Sequence, residues 1–221
     1  GFIDNVRNAH SASGFVAHTL ATDLRLDTES VFIQNMVRYS TPTFNGFKAS
    51  VQHRFGEQAG STEKDSSTAF LLNYSTGGLT LSAGQKEMKT VGLAKTELTY
   101  LGATYTTGPF RLSATHHQTK FKTAGTPDIK TSEAGVGYSV SPKLTAAVNY
   151  VRIDRGVADN DSTVTSASLK YALSKRTNVW AMVSRSNNDG SADAGASSRP
   201  LYSVITTRDS TATAVGITHS F

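Results

Sequence analysis

From about Val31 onward the chain alternates apolar and polar residues with a period of two, not the 3.6 of an amphipathic helix. In FKASVQHRF, Phe47, Ala49, Val51, His53 and Phe55 share one face, and Lys48, Ser50, Gln52 and Arg54 share the other. FRLSATH sets Phe110, Leu112 and Ala114 against Arg111, Ser113 and Thr115, and ASLKYAL sets Ala167, Leu169, Tyr171 and Leu173 against Ser168, Lys170 and Ala172. The closing stretch TATAVGITHSF does the same, with Thr213, Val215, Ile217, His219 and Phe221 opposed to Ala212, Ala214, Gly216, Thr218 and Ser220. Successive side chains of a strand point to opposite sides of a sheet, so each run predicts a strand with one greasy and one wet face. About eleven such strands are predicted, over 31–40, 46–55, 68–75, 79–87, 97–106, 110–121, 131–140, 143–153, 163–173, 177–186 and 211–221.

The punctuation is regular. Tight turns fall at TPTFNG, STGG, TTGP, SVSPK and LSKRTN, recurring every ~33 residues, the length of one hairpin of two ~10-residue strands with its loops. Between them lie longer polar segments: GEQAGSTEKDSS, EMKTVGLAKT, KTAGTPDIKT, RGVADNDST and the longest, residues 186–210. Strict alternation of short turns and long loops predicts an antiparallel up-and-down meander whose two ends face different compartments. A sheet that crosses hydrocarbon turns its apolar face outward and must close on itself, because lipid offers no partner to backbone N–H and C=O groups. Tyr39, Tyr74, Tyr105, Tyr138, Tyr150, Tyr171 and Phe221, near strand ends, are then expected in the aromatic girdles at the membrane interfaces.

Composition narrows this picture without changing it. At 221 residues the chain is read as one domain, 38% hydrophobic and without cysteine, so no disulfide or thiolate metal site is available. No run reaches the roughly 18 apolar residues of a membrane helix, a test to which barrels are invisible. The net charge of +5 comes from Lys and Arg scattered singly, without the basic block or aromatic-glycine signature of a nucleic-acid binder.

The segments NMVRYSTPTFNGFKASVQHRF, LTYLGATYTTGPFRLSATHHQTKFK, ALSKRTNVW and the terminal VGITHSF make the chain similar to the Gram-negative general porins, particularly their beta-proteobacterial branch, from about Ser30 to Phe221. The resemblance implies an all-β transmembrane antiparallel β-barrel of the outer membrane, sixteen-stranded and homotrimeric, of which this chain holds about eleven strands. Residues 1–221 are then one barrel domain, the C-terminal two-thirds of a porin whose N-terminal strands are missing, with barrel strands over 30–221. Residues 1–29 occupy the place of the inserted loop that constricts the pore. Strand parity agrees: with Phe221 and the TPTFNG turn on the periplasmic side, an odd number of strands must precede Gly1, and five give sixteen. A twelve-stranded barrel beginning with Gly14–Leu26 is the alternative. Phe221, His219, Ile217 and Val215 resemble the C-terminal signal read by the barrel assembly machinery.

A pore's chemistry is its lining. Parity puts Gln34, Arg38, Lys48, Gln52, Arg54, Arg111 and Lys170 on the wet face, and the ionised members of this set are all basic. In the loop, Asp4, Arg7, Asp23 and Arg25 are expected to face that wall, setting up a transverse field. His116 and His117 point to opposite faces and cannot chelate one ion together. DIKTSE and VADNDST lack the spacing of a calcium loop, no hydrolase or phosphate-loop motif occurs, and no cofactor or metal is expected.

The expected function is passive diffusion of small hydrophilic solutes, with anions preferred, in contact with outer-membrane lipid and lipopolysaccharide. Two rivals belong to other classes. An outer-membrane lipase or protease would need Ser, His and an acid within hydrogen-bond reach, and the histidines are dispersed. A non-conducting anchor or adhesin would need a narrow barrel, and about eleven strands already exceed the eight that side chains fill.

Overall fold

The computed structural model describes residues 35–56, 58–61, 63–89, 95–190, 192 and 209–221. Eleven strands account for most of them: β1 (Met36–Ser40), β2 (Phe47–Arg54), β3 (Ser67–Thr76), β4 (Leu79–Met88), β5 (Thr96–Thr107), β6 (Phe110–Phe121), β7 (Ile129–Ser139), β8 (Leu144–Asp154), β9 (Ser162–Ala172), β10 (Thr177–Asn188) and β11 (Ser210–His219). They form one antiparallel sheet in chain order, in which every strand pairs with its sequence neighbours. Among the described residues β1 and β11 are its two edges, so the sheet is open.

Most boundaries fall within two residues of those predicted from alternation, because the turn chemistry marks them. At the first turn, Phe44 and Phe47 bridge across Asn45 and Gly46, which have φ of 49° and 85°. Positive φ at both central residues is the type I′ requirement, and Asn-Gly is the pair that meets it at least cost. Of the predicted strand 31–40, residues 31–34 lie outside the described residues, and β1 follows Asn35, which has φ 52°. The last strand ends at His219 and not at Phe221, although Ser220 N–H still donates to the Arg176 carbonyl at 2.9 Å.

Burial is inverted relative to a soluble sheet. One face shelters Ser50, Ser82, Ser113, Thr119, Asn149, Ser166 and Ser186, while the other leaves Phe70, Leu101, Leu112, Val148 and Leu169 exposed, with Ile217 at 67% and Val215 at 82%. Cross-strand register makes these two faces continuous: Lys48, Asn73, Ser82, Gly102, Thr115 and Glu133 follow one another across the polar side, and Leu79, Tyr105, Leu112, Val136, Val148 and Ala167 across the apolar side. Polar side chains on the sheltered face pair across strands, as in Ser40 with Ser50 (2.8 Å), Ser82 with Asn73 (2.6 Å) and Ser186 with Ser210 (2.8 Å).

At about 25 cal/mol per Å², an exposed apolar face spanning ten hairpin contacts would be untenable in water, where patches rarely exceed a few hundred Å². It is stable only against hydrocarbon. The short-turn end of this face is rimmed by rings, with Phe47 and Tyr74 centroids 4.4 Å apart and Phe110 and Tyr138 5.0 Å apart. Tyr150, expected with them, lies six residues into β8 from Leu144, at the opposite border of the apolar zone.

Candidate functional site

Every described member of the expected lining falls on the sheltered polar face. Arg38 is the direct cross-strand partner of Gln52, which in turn faces Ala69, and Ala69 faces Lys86. Lys48 lies four residues from Gln52 on β2, two steps toward the first turn along the same face. Arg54 closes the strand at the long-loop end, where both its Nε and Nη2 donate to the Asp65 carbonyl. β1, β2 and β4 thus bring Arg38, Lys48, Gln52, Arg54 and Lys86 into one sector. Arg111 and Lys170 belong elsewhere: Arg111 faces Thr106 and Gly137, and Lys170 faces Thr145 and Trp180. Gln34, Asp4, Arg7, Asp23 and Arg25, the constriction segment 1–29 and the alternative strand Gly14–Leu26 lie outside the described residues.

The same face carries residues that the sequence reading passed over. Lys86 is completely buried, as are Tyr100 and Thr119. His117 stands edge-on to Tyr100 at 4.8 Å, while its neighbour His116 bonds Ser132 at 2.9 Å on the apolar face, the opposite orientations expected from their spacing. Glu133, also buried, adds an acid to a lining whose expected ionised members are all basic. Both were legible. Leu79, Leu81 and Ala83 fix the outward parity of β4 and therefore turn Lys86 inward, and Ala134, Val136 and Tyr138 do the same for Glu133 on β7.

Charges on the apolar face gather at its long-loop border. Lys95 contacts Glu87 at 2.5 Å and Glu97 at 3.2 Å, and Lys122 reaches Glu97 at 3.0 Å. Glu87 first, then Glu97, holds the Lys95 ammonium above its ordinary value. Arg152 meets Asp161 at 3.0 Å. Among the described residues no three His, Cys, Asp or Glu converge as metal ligands.

A single antiparallel sheet with a sheltered basic and hydroxyl-rich face, an apolar outer face and aromatic rings at one border defines the wall of a membrane β-barrel. The family model for Gram-negative porins matches residues 2–191, and the chain belongs to that family. Its place is the bacterial outer membrane. It is 30% identical over 206 residues to outer membrane porin protein 32 of Delftia acidovorans, a match covering 88% of this chain and 58% of that one. It superposes on the anion-selective porin from Comamonas acidovorans with a TM-score of 0.74 at 27% identity, over 86% of this chain and 60% of that one. OmpT of Vibrio cholerae shares the fold, with a TM-score of 0.66 at 18% identity over 98% of this chain and 72% of that one. The chain therefore spans about three-fifths of the length of the first two relatives.

Proposed function

We propose that this chain supplies part of the wall of a water-filled channel through which small hydrophilic solutes diffuse passively, anions in preference to cations. One observation carries the reading. On the strands, the sheltered face holds Arg38, Lys48, Arg54, Lys86, Arg111 and Lys170 against Glu133 as the one acid among its described residues. On the apolar face, Lys120, Lys130, Arg152 and Arg185 are nearly balanced by Glu87, Glu97 and Asp154. The protein's positive charge is therefore concentrated where a solute would pass, and a confined basic lining attracts anions. The anion-selective relative from Comamonas acidovorans supports the sign.

In this reading the eleven strands are the last of sixteen in a homotrimer, and residues 1–29 fold into the lumen with Asp4, Arg7, Asp23 and Arg25 facing the wall. Gln34 continues the lining ahead of the first strand. A hydrolytic role has less support. Of the hydroxyl-bonded histidines, His53, His116 and His219 lie on the apolar outer face, and His117, on the polar face, stands a long 3.5 Å from the Thr115 hydroxyl. The test is conductance of the full-length protein in planar bilayers under a salt gradient. Ohmic channels with a reversal potential on the anion side are expected, and cation preference or absence of conductance would overturn the reading.

A further inference from the structure

The polar face carries an indole close to its short-turn end. Trp180 of β10 rests on Gly216, its partner on β11, where the missing side chain lets one ring face pack against the strand and leaves the other toward the lumen. Its partner on the opposite side is Lys170 of β9, which in turn faces Thr145 of β8. Both Trp180 and Lys170 are half-buried, about 7 Å of strand from the short turns. One register step away on the same face the side chains are uncharged: Ser168 and Met182 toward the long loops, Asn178 and Thr218 toward the short turns. Among the described residues, then, this patch sets one ammonium beside one fixed aromatic surface, with no carboxylate on the adjoining positions to neutralise it.

The mouth beyond the patch is basic on the same side. Of the five short turns, TPTFNG, STGG and TTGP hold no charged residue, whereas the β7–β8 turn holds Lys143 and the β9–β10 turn holds Lys175 and Arg176, all exposed. The two basic turns are built alike. Ser141 Oγ accepts from the Lys143 and Leu144 N–H groups at 3.3 and 3.1 Å, and Ser174 Oγ from those of Arg176 and Thr177 at 3.1 and 3.0 Å. Their backbones are tied to the same strands, Ala172 N–H donating to the Lys143 carbonyl at 2.8 Å and Ser220 N–H to that of Arg176 at 2.9 Å. Charges of one sign gathered at an opening raise the local concentration of counter-ions, here directly below Lys170 and Trp180.

We infer that Lys170 and Trp180 form a lumenal binding site for aromatic carboxylates, the carboxylate held by the Lys170 ammonium and the ring stacked on the free face of the indole. The inference rests on the reading of this face as the wall of a channel. Direct cross-strand partners have Cβ atoms about 4.5–5.5 Å apart, so the ligand must carry its charge close to its flat body, as benzoate and its hydroxylated relatives do. Offset stacking is the arrangement that indole and benzene rings prefer, and the thioether of Met182, one step along β10, is a further group that favours ring edges. Thr145 and Asn178 stand beside the pair as hydrogen-bonding groups for ring hydroxyls. Packing on Gly216 holds the indole in place before the ligand arrives, so little side-chain freedom is lost on binding. One charge and one ring give a weak site, which is what a conducting pore requires, since a solute must leave as readily as it enters.

Saturation-transfer difference NMR of the purified full-length barrel in detergent, titrated with benzoate, tests this. Lys170→Gln and Trp180→Leu should each weaken benzoate binding at least fivefold. Lys170→Arg and Trp180→Tyr, which keep the charge and the ring, should stay within about twofold of the native protein and so separate a lost contact from a misfolded barrel. Lys64→Gln, in an external loop, should change nothing. Cyclohexanecarboxylate has the same charge and nearly the same size without the π face, and benzyl alcohol has the ring without the charge; each should bind at least fivefold more weakly than benzoate. Native binding by Lys170→Gln or by Trp180→Leu would overturn the site, as would equal loss in Lys64→Gln. Equal binding of cyclohexanecarboxylate would reduce it to an anion patch and overturn the aromatic assignment. The NMR signal needs no current, so a barrel that conducts but ignores benzoate refutes this inference alone, and one that binds benzoate but does not conduct refutes only the channel.

Discussion

The indole of Trp180 lies over Gly216, its direct cross-strand partner on β11. A methyl group at Gly216 would fall 2.6 Å from Cε2 and 3.1 Å from Cη2 of the ring, closer than carbon atoms tolerate. The chain's one tryptophan is thus laid against the last hairpin on the polar face, and is absent from the outer girdle where such residues usually sit. Gly216→Ala should destabilise the barrel by about 1–3 kcal/mol, the usual range for overpacking. Trp180→Phe in the same chain should recover part of that loss. Urea unfolding followed in lipid vesicles measures both, and a neutral Gly216→Ala would mean that the ring moves aside freely.

Selectivity should depend on where a charge sits, not on the total. Arg38 faces the polar side beside Gln52, whereas Lys64 is exposed in the long loop between β2 and β3. Charges in open water are screened over roughly 8 Å at physiological salt. Arg38→Glu should therefore lower the anion-to-cation permeability ratio more than Lys64→Glu, although both make the same charge change. Reversal potentials compare them, and equal shifts would refute the lining assignment.

Glu133 offers the opposite sign. It sits between Thr115 and Val151 on the polar face, and its removal leaves the described strand lining wholly basic. Glu133→Gln should raise the anion preference, while Glu97→Gln on the outer face should not. The same bilayer measurement distinguishes them, and a fall in anion preference would show that Glu133 does not act on permeation through its charge.

Assembly makes a separate claim on the terminal residues. Val215, Ile217, His219 and Phe221 lie on the exposed side, the last two with ring centroids 4.9 Å apart, and His219 bonds Thr177 at 2.9 Å. Phe221→Asp is expected to lower the yield of folded barrel in outer membranes several-fold while leaving expression unchanged. Heat-modifiable mobility of membrane fractions gives the yield, and an unaltered folded fraction would make the terminal ring incidental.

Strand identity and facing were legible because two independent signals agreed: alternation fixed the face of Phe110, Leu112 and Ala114, and short turns such as those at Asn45-Gly46 and Gly108-Pro109 marked where strands began. The ends were less legible. Phe221 continues the alternation, yet the ladder stops at His219, since a pattern of side chains does not say where backbone pairing ceases. The site was half legible. Arg38 and Lys48 stood out because each lies in a conspicuously alternating run. Lys86 was passed over because its immediate neighbours in GQKEM are all polar, and only the parity carried forward from Leu79, Leu81 and Ala83 shows that it turns inward.

A wall in which every strand touches only its predecessor and its successor has a natural unit of change. Losing or duplicating one strand would exchange the ends at which all later turns and loops lie and deliver the final residue to the opposite compartment. Losing or duplicating a whole hairpin would do neither. The circumference of such a wall is therefore free to evolve, but only in paired increments of about 10 Å measured across the strands. Bore could then vary among descendants while the assignment of each remaining residue to water or to lipid stayed as it was.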